Sequence, residues 1–157
     1  MSVRVKICGI TSIEDALTAV QAGADALGFM FYERSPRRTA MDLVATIKNA
    51  LPPFVVRVGV FAGATEQVIR GAALCGLNAL QFHGNEPPDF LKKFSPITTI
   101  KAFRIQNAAS LATLPAYNTR AWLLYESDAD PTLSDPEFAA YLLVHGDRMA
   151  MSGEVAT

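Results

Sequence analysis

Strand and helix patterns alternate along most of this chain, and that alternation limits its possible folds more than any other feature. Apolar runs of strand length are each followed by a helical pattern, with a repeat of roughly 25 residues. Such runs, separated by helices, predict a parallel sheet covered by helices on its outer face. The predicted strands are 3–9, 25–32, 54–61, 78–82, 98–103 and 120–124, and the clearest helices are 12–22 and 41–51 with two more beginning at Thr65 and Pro87.

Two architectures fit this pattern, an open doubly wound sheet and a (β/α)₈ barrel. A doubly wound dinucleotide-binding sheet would carry a G-x-G-x-x-G motif after its first strand. This chain has only Gly9 at that position. The sequence therefore favours the barrel.

Composition restricts the class of function. The chain has 157 residues, half of them apolar, which is enough for one domain with a substantial core. Fourteen basic and fifteen acidic residues give a net charge near −1, so we expect no nucleic-acid or membrane partner and a small-molecule substrate instead. Two cysteines form no disulfide framework, and no leader or membrane-spanning run is evident, so we predict a cytoplasmic protein.

The first strand ends at a thiol. Cys8 and Gly9 are followed by the start of a helix, with an N-cap and an acidic residue three positions later at Asp15. A cysteine at the carboxyl end of a strand, beside an amide-rich helix start, lies in an environment typical of reactive thiols. Cys75, inside a predicted helix, is interpreted as a packing residue.

Four motifs occur in order at predicted strand ends. They are Lys6-Ile7-Cys8-Gly9-Ile10-Thr11, then Gly28-Phe29-Met30-Phe31-Tyr32 with Ser35 and Arg37, then Arg57-Val58-Gly59-Val60-Phe61, then Leu80-Gln81-Phe82-His83-Gly84. Together they resemble the phosphoribosylanthranilate isomerase family over about residues 2–125. The resemblance implies a single-domain TIM (β/α)₈ barrel over 1–157, family-like over 2–124, which needs no metal or organic cofactor. It also implies an Amadori rearrangement of a phosphoribosyl substrate in tryptophan biosynthesis.

The resemblance assigns roles to individual residues. Cys8 matches the family's general base, and Arg37 matches the arginine near the anthranilate carboxylate, where a planar guanidinium can form two parallel hydrogen bonds. Gln81 and His83 lie at the end of the fourth strand and are expected to face the substrate. For His83 two interpretations stay open, a donor facing the ligand and a residue that fixes its own loop.

The last part of the chain, 125–157, diverges from the family. Tyr125 stands where the catalytic aspartate should follow strand six, and the nearest carboxylates are Glu126 and Asp128. Glu126 would point to the opposite face of a regular strand. Gly153 is the remaining candidate for phosphate binding.

The divergence also affects the expected barrel. A helix is predicted over 134–144 and a seventh strand over 149–152, whereas no eighth strand is recognisable. We therefore expect an incomplete barrel of about seven parallel strands, self-association through uncovered sheet edges, and weak or absent turnover. A non-catalytic remnant or binding subunit of the same fold is the alternative, and a different phosphosugar enzyme fits the combined motifs less well.

Overall fold

The computed structural model describes residues 4–104, 108–119, 121–125 and 141–144. Seven strands, four α-helices and one 3-10 helix follow one another in these ranges, and strand and helix alternate up to the sixth strand. The elements are β1 Lys6–Cys8, α1 Ile13–Gln21, β2 Ala26–Met30, α2 Met41–Ala50, β3 Val56–Phe61, α3 Glu66–Leu74, β4 Ala79–Phe82, α4 Pro88–Lys92, β5 Thr98–Arg104, the 3-10 helix Ala108–Ala116, β6 Ala121–Tyr125 and β7 Tyr141–Val144.

The strands form one sheet in chain order, from β1 to β7, and β1 to β6 are parallel. A doubly wound sheet reverses its strand order at a switch point, whereas a barrel continues in one direction. The observed order therefore excludes the doubly wound alternative and confirms the incomplete barrel. Within the described ranges β1 pairs with β2 alone.

The seventh strand corrects the prediction for the end of the chain. Tyr141–Val144 was predicted to be helical, yet it forms β7, antiparallel to β6. Four consecutive apolar residues satisfy a strand as well as a helix, and pairing with β6 satisfies backbone groups of that edge strand. The prediction of a helix is thus wrong at 141–144, whereas the seventh parallel strand stays a prediction. The predicted strand 149–152 lies outside the described residues.

Local signals in the sequence set the helix boundaries. The Ser12 hydroxyl caps α1 by accepting a hydrogen bond from the Asp15 amide at 3.0 Å, and Thr65 caps α3 in the same way. Gly23 and Gly76 follow the ends of these helices with φ angles of +99° and +101°. Only glycine adopts this left-handed conformation without strain, so the chain turns back toward the sheet at both positions.

Side chains pack on both faces of the sheet. The larger cluster lies between sheet and helices and contains Leu27, Phe29, Phe61, Leu80 and Phe82. The other face, which we call the inner face, carries smaller side chains: Ala26, Val58, Ala79, Ile100 and Ala102. In a barrel the inner face is the interior and its carboxyl edge is the mouth. No helix in the described ranges is long and apolar enough to cross a membrane.

Candidate active site

The thiol of Cys8 lies at the carboxyl end of β1, half buried on the inner face. Cys8 pairs in register with Gly28 of β2. A Cβ atom on residue 28 would lie 2.6 Å from the Cys8 Sγ, so the thiol occupies space that only glycine leaves open. The amides of Gly9 and Ile10 both donate to the Gly28 carbonyl, at 3.0 and 3.1 Å. Gly28 therefore fixes the backbone around Cys8 as well as making room for its side chain.

Arg37 lies directly beside this turn. Its side chain covers Gly9, where an added Cβ would meet the Arg37 Cδ at 2.7 Å, and its Nη1 donates to the Cys8 carbonyl at 3.4 Å. Gly9 has a φ of +87°, which any other residue would adopt only with strain. The structure thus brings together Cys8 and Arg37, which are 29 positions apart in the sequence.

Thr39 anchors the loop that carries Arg37. Its amide donates to the Met30 carbonyl at 2.8 Å, and its hydroxyl donates to the Ile10 carbonyl at 2.7 Å. The side chain is buried, with 2% exposed. Thr39 therefore ties the loop after β2 to the turn after β1. The sequence offered no signal for this role, since Thr39 stands in a polar loop with no pattern.

Gln81 presents an unusual polar atom on the inner face of β4. The side chain is 2% exposed, and its Oε1 has no hydrogen-bond donor among the described residues. Its register partners, Val60 and Ile100, are apolar. Buried polar atoms are nearly always hydrogen-bonded, so an amide oxygen in this setting is well suited to accept a hydrogen bond from a bound ligand.

His83 follows β4 directly, and its backbone is fixed by a bond from its amide to the Phe61 carbonyl at 2.8 Å. Burial, as the largest cause, and the positive charges of Lys101 and Lys6 together lower the pKa of its imidazole to about 4, although Glu86 opposes them. The imidazole is therefore neutral at pH 7. It can offer one donor and one acceptor nitrogen.

We expect the stability of the fold to fall as the pH drops from about 7 to 4 partly because of His83. Its pKa is about 4 in the folded chain against an ordinary value of 6.5, so in this window only the unfolded chain binds the proton. Relative to pH values below 4, His83 therefore raises the free energy of unfolding above pH 6.5 by about 3 kcal/mol. Urea unfolding at pH 7 and pH 4.5 should show a smaller loss for His83→Gln than for the parent chain. Equal losses in the parent chain and in His83→Gln would contradict the assignment.

A buried ion pair lies behind the His83 turn, and sequence reasoning missed it. Lys101 on β5 is 3% exposed, and its Nζ is 3.6 Å from the Glu86 Oε2. The same Nζ donates to the carbonyls of Phe82 and Gly84 at 3.3 and 2.5 Å. Burial lowers the pKa of Lys101, and Glu86 raises it in opposition. A lysine inside an apolar strand was the available signal, because lysine is almost never buried without a partner.

Three predicted site residues, Glu126, Asp128 and Gly153, lie outside the described residues. Tyr125 is the last residue of β6 and pairs in register with Arg104 of β5. The strand therefore extends one residue beyond the predicted end at Leu124 and includes Tyr125. In the described part of the chain no three His, Cys, Asp or Glu side chains come together as metal ligands. The independence from cofactors stays a prediction.

The described site combines a thiol, a guanidinium group, an amide oxygen and a neutral imidazole at the carboxyl ends of β1, β2 and β4. In barrels of parallel strands this edge carries the reacting groups. A thiol can remove a proton from carbon, and a guanidinium group can hold a carboxylate. The arrangement suits proton transfer on a ligand that carries a carboxylate.

Comparison with known proteins gives a consistent result. Residues 5–128 match the family model for N-(5′-phosphoribosyl)anthranilate (PRA) isomerase. The enzyme of that name from Geobacter sp. strain M21 is 50% identical over 122 residues, which cover 77% of this chain and 59% of the relative. The chain spans about three fifths of the length of the curated relatives it matches.

Solved structures agree. Phosphoribosylanthranilate isomerase from Thermotoga maritima superposes with a TM-score of 0.76 at 40% identity, covering 85% of this chain and 65% of that one. Another phosphoribosylanthranilate isomerase was solved in complex with reduced 1-(o-carboxyphenylamino)-1-deoxyribulose 5-phosphate. It superposes with a TM-score of 0.67 at 45% identity, covering 71% of this chain and 58% of that one.

Proposed function

This chain belongs to the N-(5′-phosphoribosyl)anthranilate isomerase family, and we propose that it catalyses the reaction for which that family is named. The substrate would be N-(5′-phosphoribosyl)anthranilate and the product 1-(2-carboxyphenylamino)-1-deoxyribulose 5-phosphate, in tryptophan biosynthesis. The observation that carries the proposal is the contact between Arg37 and the backbone of Cys8 at the carboxyl end of β1. This contact supports the proposal because a base at Cys8 and a carboxylate-binding group at Arg37 would lie side by side.

The chemistry needs an acid and a base. The acid protonates the furanose ring oxygen, the bond from that oxygen to C1′ breaks, and the anthranilate nitrogen forms a Schiff base with C1′. The Cys8 thiolate then takes the proton from C2′, and the electrons of that C–H bond form the C1′–C2′ double bond of an enolamine. Proton transfer to C1′ and from the C2′ hydroxyl converts the enolamine to the ketone.

Arg37 would hold the anthranilate carboxylate by two parallel charge-assisted hydrogen bonds. The buried Gln81 Oε1 would accept a hydrogen bond from the substrate, since it has no donor among the described residues. The neutral imidazole of His83 would supply a further donor at the same edge. These three roles fix the orientation of the substrate and leave Cys8 to carry out the proton transfer.

The remaining roles rest on residues beyond those described. Glu126 and Asp128 stay the candidates for the general acid, and Gly153 stays the candidate for phosphate binding. We further propose a cytoplasmic location, no nucleic-acid or membrane partner, and self-association through sheet edges, on the grounds given by composition and strand order.

The test is turnover by the purified 157-residue chain, followed by the fluorescence change as the phosphoribosyl anthranilate is consumed. Binding of reduced 1-(o-carboxyphenylamino)-1-deoxyribulose 5-phosphate is measured in parallel by calorimetry. Turnover that depends on Cys8 supports the proposal. Binding without turnover would favour the non-catalytic alternative. If the chain shows no turnover and does not bind the analogue, both functions are wrong.

Arg37→Lys should weaken binding of that reduced analogue by about ten- to a hundredfold, because a lysine cannot replace a bidentate guanidinium group. In turnover the effect should appear in KM more than in kcat, since the carboxylate does not change during the reaction. Arg38→Lys, at the exposed neighbouring position, is the matched control. Equal affinities of the parent chain and both variants would place the carboxylate elsewhere.

Iodoacetamide should modify Cys8 faster than Cys75 in the folded chain. The Cys75 Sγ lies 3.6 Å from the Gly71 carbonyl oxygen and packs against the main core, whereas Cys8 lies at the edge of the sheet. The reduced analogue should slow modification of Cys8 and leave Cys75 unaffected. Mass spectrometry of peptides from a time course measures both rates. Faster labelling of Cys75 would show that the Cys8 thiol is not accessible from the mouth.

A further inference from the structure

The buried ammonium group of Lys101 is connected to both sides of His83. It donates to the carbonyl of Phe82, which precedes His83, and to the carbonyl of Gly84, which follows it. By strand alternation Lys101 faces the helix side of the sheet, opposite Ile100 and Ala102 on the inner face. It therefore contacts the His83 turn from behind and takes no place at the mouth itself.

Glu86 holds the ammonium group in place and joins a second loop to it. One carboxylate oxygen lies 3.6 Å from the Lys101 Nζ, and the other accepts a hydrogen bond from the Gly63 amide at 2.8 Å. Gly63 belongs to the turn after β3, so Glu86 links the loops that follow β3 and β4. A Cβ on Gly84 would lie 2.8 Å from the same carboxylate oxygen, which explains the glycine after His83.

Aromatic groups complete the surroundings of the charge. The Lys101 Nζ is 5.6 Å from the centre of the Phe103 ring and 5.8 Å from that of Tyr117. The Tyr117 hydroxyl donates to the Glu86 carbonyl at 3.0 Å. The ammonium group thus has a carboxylate, two carbonyls and two ring faces around it, all of which stabilise a buried cation.

We propose that Lys101 is a positioning residue for His83, which clamps the carbonyls on either side of it, and that Glu86 fixes this clamp and ties it to the loop after β3. Ion pairs of this kind are not required for stability alone, because well-packed apolar residues often replace them without loss. The clamp instead determines where the imidazole lies relative to Cys8 and Arg37. That last consequence for the reaction rests on the proposed function.

The charged groups that face His83 come from three elements. Lys101 lies on β5, Lys6 on β1, and Glu86 in the loop before α4. Lys101 and Lys6 both disfavour a proton on the imidazole, whereas Glu86 favours it. Release of the turn would expose the ring to water, and burial is the main reason that its pKa is low. A change in the burial of the His83 turn would therefore change the pKa of the imidazole.

The test uses the double variant Lys101→Met/Glu86→Gln, which removes both charges and keeps an oxygen for the Gly63 amide. Hydrogen exchange of the His83 amide should accelerate by about ten- to a hundredfold, as expected for losing a charge-assisted hydrogen bond next to it. By NMR of the ring, the pKa of His83 should rise from about 4 toward 6.5. Lys92→Met/Asp89→Asn, an exposed pair on α4, is the matched control and should change neither quantity.

If the ion pair serves only to neutralise its own charges, the double variant will match the parent chain in exchange of the His83 amide, and the proposal is wrong. Exchange decides between the two, because loss of the Lys101 charge raises the pKa of His83 even where the turn does not move. The single variant Lys101→Met gives the same readouts if it remains folded. Affinity for the reduced analogue is measured separately. A parent chain that does not bind the analogue, with accelerated exchange in the variant, would overturn the proposed function and leave the positioning role intact.

Discussion

Replacing Cys8 with alanine is expected to lower kcat for the isomerase reaction by about 10²–10⁴-fold, the usual contribution of a positioned general base. The substitution should leave the affinity for the reduced analogue nearly unchanged, because the thiol acts on the C2′ proton and contributes little to ground-state binding. Stopped-flow fluorescence under single-turnover conditions measures the proton-transfer step without interference from product release. The ratio of the two chains is informative however slow the parent chain is.

Cys75→Ala is the control, since Cys75 ends α3 and packs against the helix side of the sheet. It should keep the turnover of the parent chain. Cys8→Ser tests the chemistry further, because a hydroxyl keeps the shape of the thiol and is a far weaker acid. If Cys8→Ala keeps full turnover, the base is a different group, and the neutral imidazole of His83 would be the next candidate.

The repeat of strand and helix patterns was sufficient to predict six parallel strands, their order along the chain and the helices between them. The first strand is followed by Gly9 but not by a G-x-G-x-x-G motif, and this correctly favoured the barrel over a doubly wound sheet. The error at 141–144 has a local cause, because Tyr141 to Val144 can form a strand or part of a helix. Pairing with the exposed edge of β6 decides between them, and that edge is a property of the folded sheet.

The candidate site was likewise predictable from the sequence only in part. Cys8 could be placed at a strand end from the sequence, and Arg37 followed from the family motif. The contacts between loops could not be predicted from the sequence, because Thr39 and Glu86 bind backbone atoms of segments that are far from them in the chain. Lys101 was conspicuous within an apolar strand, yet its partner could be identified only once the turn after β4 was placed beside it.

Lys101→Met should lower the free energy of unfolding by about 3–5 kcal/mol, since it leaves the Glu86 carboxylate buried without its counter-charge. Both side chains are about 5% exposed or less, so solvent screens this charge very little. Domains of this size are stable by about 5–15 kcal/mol, so the loss is a large fraction of the total. Urea unfolding followed by far-UV circular dichroism gives the value.

A double-mutant cycle separates the charge from the packing. Lys101→Met/Glu86→Gln should recover most of the stability lost in Lys101→Met, because no charge then remains buried and the Gly63 amide keeps an acceptor. Lys92→Met, on the exposed face of α4, should leave the unfolding midpoint unchanged. If Lys101→Met alone unfolds at the same midpoint as the parent chain, the Glu86 carboxyl of the variant is not left charged and buried without a partner, and the prediction is wrong. The two loops would then be joined without a buried charge at their centre.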